Sequence, residues 1–102
     1  MTGVELIAAE RKRQIEKEGW TQEHDTEHPK GDLALSGACY ALDVVGEFRN
    51  AIGRNNDLVS VAYRLWPWAF RWWKPTHNDP IRQLVKAGAL IAAEIDKLQA
   101  EQ

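Results

Sequence analysis

The stretch Asp79-Pro-Ile-Arg-Gln-Leu-Val-Lys-Ala-Gly-Ala-Leu-Ile-Ala-Ala-Glu-Ile-Asp-Lys-Leu98 decides the fold class. Asp79 suits an N-cap, since its carboxylate can accept from the free amides of a first turn. Pro80 suits the first helical position, where its missing N–H removes no hydrogen bond. Ile81, Leu84, Val85, Gly88, Ile91, Ala92, Ile95 and Leu98 then recur at i, i+3, i+4, the apolar face of an amphipathic helix.

Upstream lies Trp66-Pro-Trp-Ala-Phe-Arg-Trp-Trp-Lys-Pro75, dense in aromatics and read as irregular. Pro67 should end a short helix, Leu58 to Leu65, that Asp57 could cap. Residues 49–56 read as a loop. Residues 32–48 read as a central helix with Asp32 as N-cap, apolar around nearly its whole circumference. Its polar stripe is Ser36, Asp43 and Glu47, edged by Tyr40, and Gly37 and Ala38 would admit a close helix neighbour. Residues 19–31 are polar and turn-rich, an ordered loop anchored by Trp20. Residues 3–18 read as the first helix, with Val4, Ile7, Ala8, Arg11 and Ile15 on one side. Thr2 and Glu5 form its capping box and Gly19 its stop. The expectation is all-α: a compact bundle of three main helices plus a short one, with an ordered His/Asp loop and a Trp-rich irregular segment, forming one domain over 1–102.

At 102 residues, 44% apolar and 27% charged, the composition is that of a globular chain. A formal charge of -2 offers no positive field for DNA or RNA. Cys39 is alone, so no internal disulfide or cysteine metal site is expected. No signal-peptide pattern and no membrane-length apolar run is seen, and the cytoplasm is the expected location.

Four features could carry chemistry. His24-Asp25-Thr26-Glu27-His28 brings two histidines near carboxylates, as metal sites do. Pro29 and the turn composition argue against a shared helical face, so hydrogen bonds that order the loop, or a ligand contact, are preferred. Arg11 interrupts the apolar side of the first helix and must be paired inside the protein or grip an anion. Trp66, Trp68, Trp72 and Trp73, with Arg71 and Lys74 between them, can close a core, stack on a base beside phosphate-binding cations, or anchor a protein interface. Asp43, Glu47, Glu94 and Asp96 read as carboxylates of solvated faces. Glycine-rich phosphate loop, nucleophile elbow and Cys-X-X-Cys are all missing. No catalytic residue, metal ligand or cofactor is assigned.

From Arg11-Lys-Arg-Gln-Ile-Glu-Lys-Glu-Gly-Trp-Thr-Gln-Glu-His-Asp-Thr-Glu-His28 through Gly31-Asp-Leu-Ala and Cys39-Tyr-Ala, the chain resembles small proteins of tailed phages and prophages. The resemblance resumes at Trp66-Pro-Trp, Trp72-Trp-Lys-Pro75 and Leu84-Val-Lys-Ala-Gly-Ala-Leu-Ile-Ala-Ala-Glu-Ile95. A weaker similarity of class is to the MazG-like all-α nucleotide pyrophosphatases, which hold Mg²⁺ on Glu-X-X-Glu and Glu-X-X-Asp pairs that this chain lacks in suitable places. A phage origin implies action in the host cytoplasm. It favours a binder that sequesters a nucleotide-derived small molecule, with immune evasion as its purpose. Arg11, Trp20, His24, Asp25, His28, Trp66, Trp68, Arg71, Trp72, Trp73 and Lys74 are the expected contacts, and a homo-oligomer is the expected assembly. The alternatives are a metal-dependent nucleotide hydrolase using His24, Asp25, His28 and a helix carboxylate, and an inhibitor that docks on a host protein through the Trp-rich patch.

Overall fold

A computed structural model describes residues 1–19 and 28–102. Four α-helices fall within them: α1 (Gly3–Glu18), α2 (Asp32–Ala51), α3 (Leu58–Leu65) and α4 (Pro80–Ala100), with a 3-10 turn at Phe70–Trp72. Among the described residues there is no strand, and no helix is long and apolar enough to cross a membrane. In space α1 packs on α4, α4 on α2, and α2 on α3.

The ends form much as local chemistry dictates. Thr2 accepts from Glu5 N while the Glu5 side chain accepts from Thr2 N, a complete capping box. Gly19 ends α1 at φ 71°, where a side chain would be strained. Asp79 accepts from Arg82 N and Pro80 opens α4. Two expected side-chain caps are replaced. Gly31, not Asp32, is the N-cap of α2, and it has no side chain to offer. Glu94 of α4 fills the gap by accepting from Ala34 N at 3.1 Å. Asp57 stands at the N-cap of α3 as expected, but its side chain makes no cap bond, and Asn56 Oδ1 accepts from Leu58 N instead. The helix read as 32–48 continues through Ala51.

The core joins Leu33, Cys39 and Tyr40 of α2, Ala62 of α3, Trp66, and Ala87, Leu90 and Ala93 of α4. The larger departure lies in which faces are buried. On α4 the expected apolar stripe is rotated outward: Ile81, Leu84, Ile91, Ile95 and Leu98 are 40–66% exposed. Gln83, Glu94 and Lys97 point inward beside Val85, Ala87, Ala89, Leu90 and Ala93. On α2 the polar stripe is also internal, with Ser36, Tyr40 and Asp43 buried while Phe48 is exposed. On α1 the buried residues are Glu10 and Gln14, and Val4 is exposed.

The reason is mutual satisfaction. Buried polar groups are tolerated when they bond to one another. Gln83 Nε2 donates to Tyr40 O at 3.0 Å and Asp43 Oδ2 at 2.7 Å. Ser36 donates to Leu33 O, and Lys97 donates to His28 O. Small residues on α4 allow this seam to close. A Cβ on Gly37 would lie 2.8 Å from Ala87 O and 3.1 Å from Ile91 Cγ1, so the α2–α4 approach needs glycine there.

Gly37→Ala should therefore destabilise. Overpacking costs ~1–3 kcal/mol, against roughly 1 kcal/mol gained in helix propensity. A net loss of about 1 kcal/mol would lower Tm by ~4 °C or more in a domain of this size, read by circular dichroism.

Candidate ligand-binding site

A half-open cleft lies between α1 and α4, with one rim made by the chain after the Trp-rich turn. It is lined by Glu10, Arg13, Gln14 and Glu18 of α1, Tyr40 of α2, Trp72 and Lys74 of the rim, and Arg82, Lys86 and Leu90 of α4. Four cations thus face two carboxylates in one concavity, in a chain whose overall charge is -2.

Glu10 sets the position of the arginines. Its Oε1 accepts from Arg13 Nε at 2.8 Å and from Arg82 at 2.7 Å. Its Oε2 accepts from the second Arg13 nitrogen at 2.9 Å and from Gln14 Nε2 at 3.2 Å. The carboxylate is buried, and the guanidinium groups are about one-third exposed. Burial pushes the Glu10 pKa up, but hydrogen bonds and charge from Arg13 and Arg82 outweigh it, and the net shift is downward. Glu10 also lifts Arg13 further above its already high value, against the opposing effect of burial.

Lys86 is half-buried. Burial, then repulsion from Arg82, lowers its pKa. Its Nζ donates to Lys74 O at 2.8 Å and Thr76 Oγ1 at 2.7 Å, and lies over the Tyr40 ring at 5.7 Å. Lys74 N donates to the Tyr40 hydroxyl at 3.0 Å. Burial pushes the Tyr40 phenol above its ordinary value despite that donor. These bonds hold the rim against α2 and α4, so Trp72 and Lys74 have a fixed base. Cys39 is buried, its thiol pushed up to about 11 by burial, and it has no thiolate chemistry to offer at neutral pH.

The four clustered tryptophans divide. Trp73 stacks on Tyr40 (4.8 Å, 16°) and meets Trp66 edge-on at 4.9 Å. Trp66 is buried, donates to Ala69 O, and meets Trp68 edge-on. Such pairs add ~0.5–1.5 kcal/mol each beyond burial. Trp72 alone of the four is open, at 45% exposure, with Arg71 Cζ 5.4 Å and Lys74 Nζ 5.6 Å from its ring centre.

Of the residues picked from the sequence, Trp72 and Lys74 line the cleft, with Arg71 covering the Trp72 ring. Trp66, Trp68 and Trp73 belong to the interior or its edge. His28 lies against Trp68, ring centres 4.8 Å apart, and Arg11 faces Asp96 at 3.9 Å on another surface. Trp20, His24 and Asp25 lie outside the described residues. Arg13, Arg82 and Lys86 escaped the reading. Arg82 and Lys86 sit one turn apart on α4, a cationic pair off the apolar stripe, and Arg13 is three residues from Glu10. Each spacing was a usable signal.

Asp43, Glu47 and His77 form a second grouping, with one ligand atom from each within 4.8 Å of the others. Asp43 and Glu94 correct the solvated-face reading, since both are buried.

No family model, curated protein or solved structure matches the chain.

Glu10→Gln should show what holds the cleft together. At neutral pH it removes a charge shared by two arginines and should cost about 1–3 kcal/mol, less than a fully buried pair because both guanidiniums reach solvent. Because the folded pKa lies below the ordinary 4.5, the Glu10 contribution is complete above about that pH. It fades as pH falls through the folded value. Urea melts from about pH 7 to 3 should show the wild-type advantage over E10Q shrinking only in the acid range.

Proposed function

We propose that the chain binds and sequesters a nucleotide-derived small molecule in the cleft between α1 and α4. One observation carries this reading: an exposed indole, Trp72, shares a concavity with Arg13, Lys74, Arg82 and Lys86. A base is a flat π-surface and a phosphate is a compact anion, and those two needs are met here side by side. A stacked base would take the face of Trp72 that Arg71 or Lys74 now covers, freeing that cation for phosphate. Phosphate between Lys86 and Arg82 would offset the repulsion that lowers the Lys86 pKa.

Binding is favoured over turnover because no histidine, serine or cysteine is among the cleft-lining residues described. The resemblance to phage-encoded proteins supports a ligand made by the host as an immune signal and a site of action in its cytoplasm. Nucleic acid polymers do not fit a half-open cleft on an acidic chain.

Thermal unfolding and Trp fluorescence against mono-, di- and cyclic nucleotides and ADP-ribose derivatives test the reading. One class should raise Tm by several degrees at saturating concentration and be recovered intact. Trp72→Ala should weaken it by roughly 1–3 kcal/mol, about five- to 150-fold, while leaving the free protein's melt nearly unchanged. Silence across the panel from a folded protein would reject a nucleotide ligand. Consumption of the ligand would reject sequestration in favour of hydrolysis.

The proposal includes a homo-oligomer. Ile81, Leu84, Ile91, Ile95 and Leu98 place an exposed apolar row along α4, and rows of this kind in helical proteins are covered by symmetric copies. Sedimentation should show an assembly that Ile91→Glu with Ile95→Glu converts to a folded monomer. A wild-type monomer at high concentration would exclude it.

A further inference from the structure

We propose that Asp43, Glu47 and His77 form a binding site for one divalent transition-metal ion of the zinc or manganese type, separate from the cationic cleft. Asp43 and Glu47 lie one helical turn apart on α2, so both carboxylates leave the same side of the helix. His77 comes from the turn that precedes α4. Its Nδ1 stands 2.6 Å from Glu47 Oε1 and 3.5 Å from Asp43 Oδ2. None of the three lines the cleft.

The independent sign of a ligand is the Asp43 carboxylate. It is wholly buried, its Oδ2 accepts from Gln83, and its Oδ1 has no hydrogen-bond donor. An internal carboxylate oxygen with nothing to accept from is a costly group, and natural proteins seldom leave one. Asp43 Oδ2 is the oxygen that faces the other ligands, 3.5 Å from His77 Nδ1, and an ion held by it, Glu47 and His77 would give the buried carboxylate a cationic partner that the neutral Gln83 amide does not supply.

The donor set selects the ion. One imidazole nitrogen with two carboxylates suits zinc and manganese. Mg²⁺ prefers an all-oxygen octahedron and keeps its waters. Three protein ligands leave at least one position for water, as in sites that are not purely structural. The surroundings already hold the ligands. Gln83 fixes Asp43 through Oδ2 and accepts from Thr76 N at 2.7 Å, next to His77. Outer bonds of this kind orient ligands before the metal arrives. Without metal, the His77 ring simply meets the Glu47 carboxylate at 2.6 Å, and the test must separate that pairing from coordination.

Calorimetry and thermal melts of the chelator-treated full chain with ZnCl2, MnCl2 or MgCl2 provide that test. Zinc or manganese should bind at one equivalent and raise Tm, and magnesium should do neither. Glu47→Gln and His77→Lys change exposed or half-exposed positions, and the second keeps a cation beside the carboxylates. Both should stay folded by circular dichroism and lose at least about tenfold in affinity. Asp43→Asn serves as a third variant only if its melt shows a folded protein. The proposal fails if the folded wild type binds neither ion. It also fails if His77→Lys binds as well as wild type, or if binding disappears in His24→Ala with His28→Ala but survives in His77→Lys.

Discussion

The side-chain amide of Gln83 is the constraint around which the rest is arranged. It is enclosed by the protein, and its bonds tie two separate parts of the fold to α4. Its nitrogen holds α2 at Tyr40 O and Asp43, and its oxygen holds the chain after the Trp-rich turn at Thr76 N. A buried amide tolerates no half-measure: each polar atom is either bonded or costly. So the rotation of α4 about its axis is set by Gln83, and the apolar row at Ile81, Leu84, Ile91, Ile95 and Leu98 goes where that rotation sends it.

Glu10 plays the matching part at the α1–α4 contact. Taken alone, two arginines one-third exposed and within reach of one carboxylate would repel each other. Glu10 distributes its four acceptor bonds so that both guanidiniums keep outward-facing hydrogens. The resulting surface is cationic although the chain is acidic. Stability and ligand attraction are therefore coupled through one side chain. The same carboxylate that orders the cations also cancels part of their field, which limits nonspecific attraction for anions.

The sequence was informative about elements and poor about their rotation. Helix ends at Thr2, Gly19 and Asp79-Pro80 follow from capping chemistry within a few residues of chain, and they are visible in a single sequence. The face a helix buries depends on partners far along the chain. Asp43 looks solvated on a helical wheel until Gln83 is known to lie opposite it, forty residues on. Among the tryptophans, composition says only that four in eight residues are more aromatic surface than a domain of this size readily buries. Which one opens depends on Tyr40, whose ring takes Trp73 and whose hydroxyl takes Lys74 N. In the cleft, Trp72 and Lys74 were legible from their aromatic-cationic neighbourhood. Arg82 and Lys86 were hidden by the stronger apolar periodicity of the same helix.

Glu94 accepts from Ala34 N, sixty residues away in sequence, where Gly31 has no side chain to cap α2. The consequence is kinetic. The opening turn of α2 has local backbone bonds, Asp32 N to Pro29 O and Leu35 N to Gly31 O, but its side-chain cap is completed only when α4 is alongside. Bonds of such long sequence separation form late and slow the search for the native state. α1, with its capping box and αL stop, is self-sufficient at both ends. The caps of α1 and α4 are thus local to their own segments, while the cap of α2 is a tertiary contact that exists only where α2 and α4 are packed together.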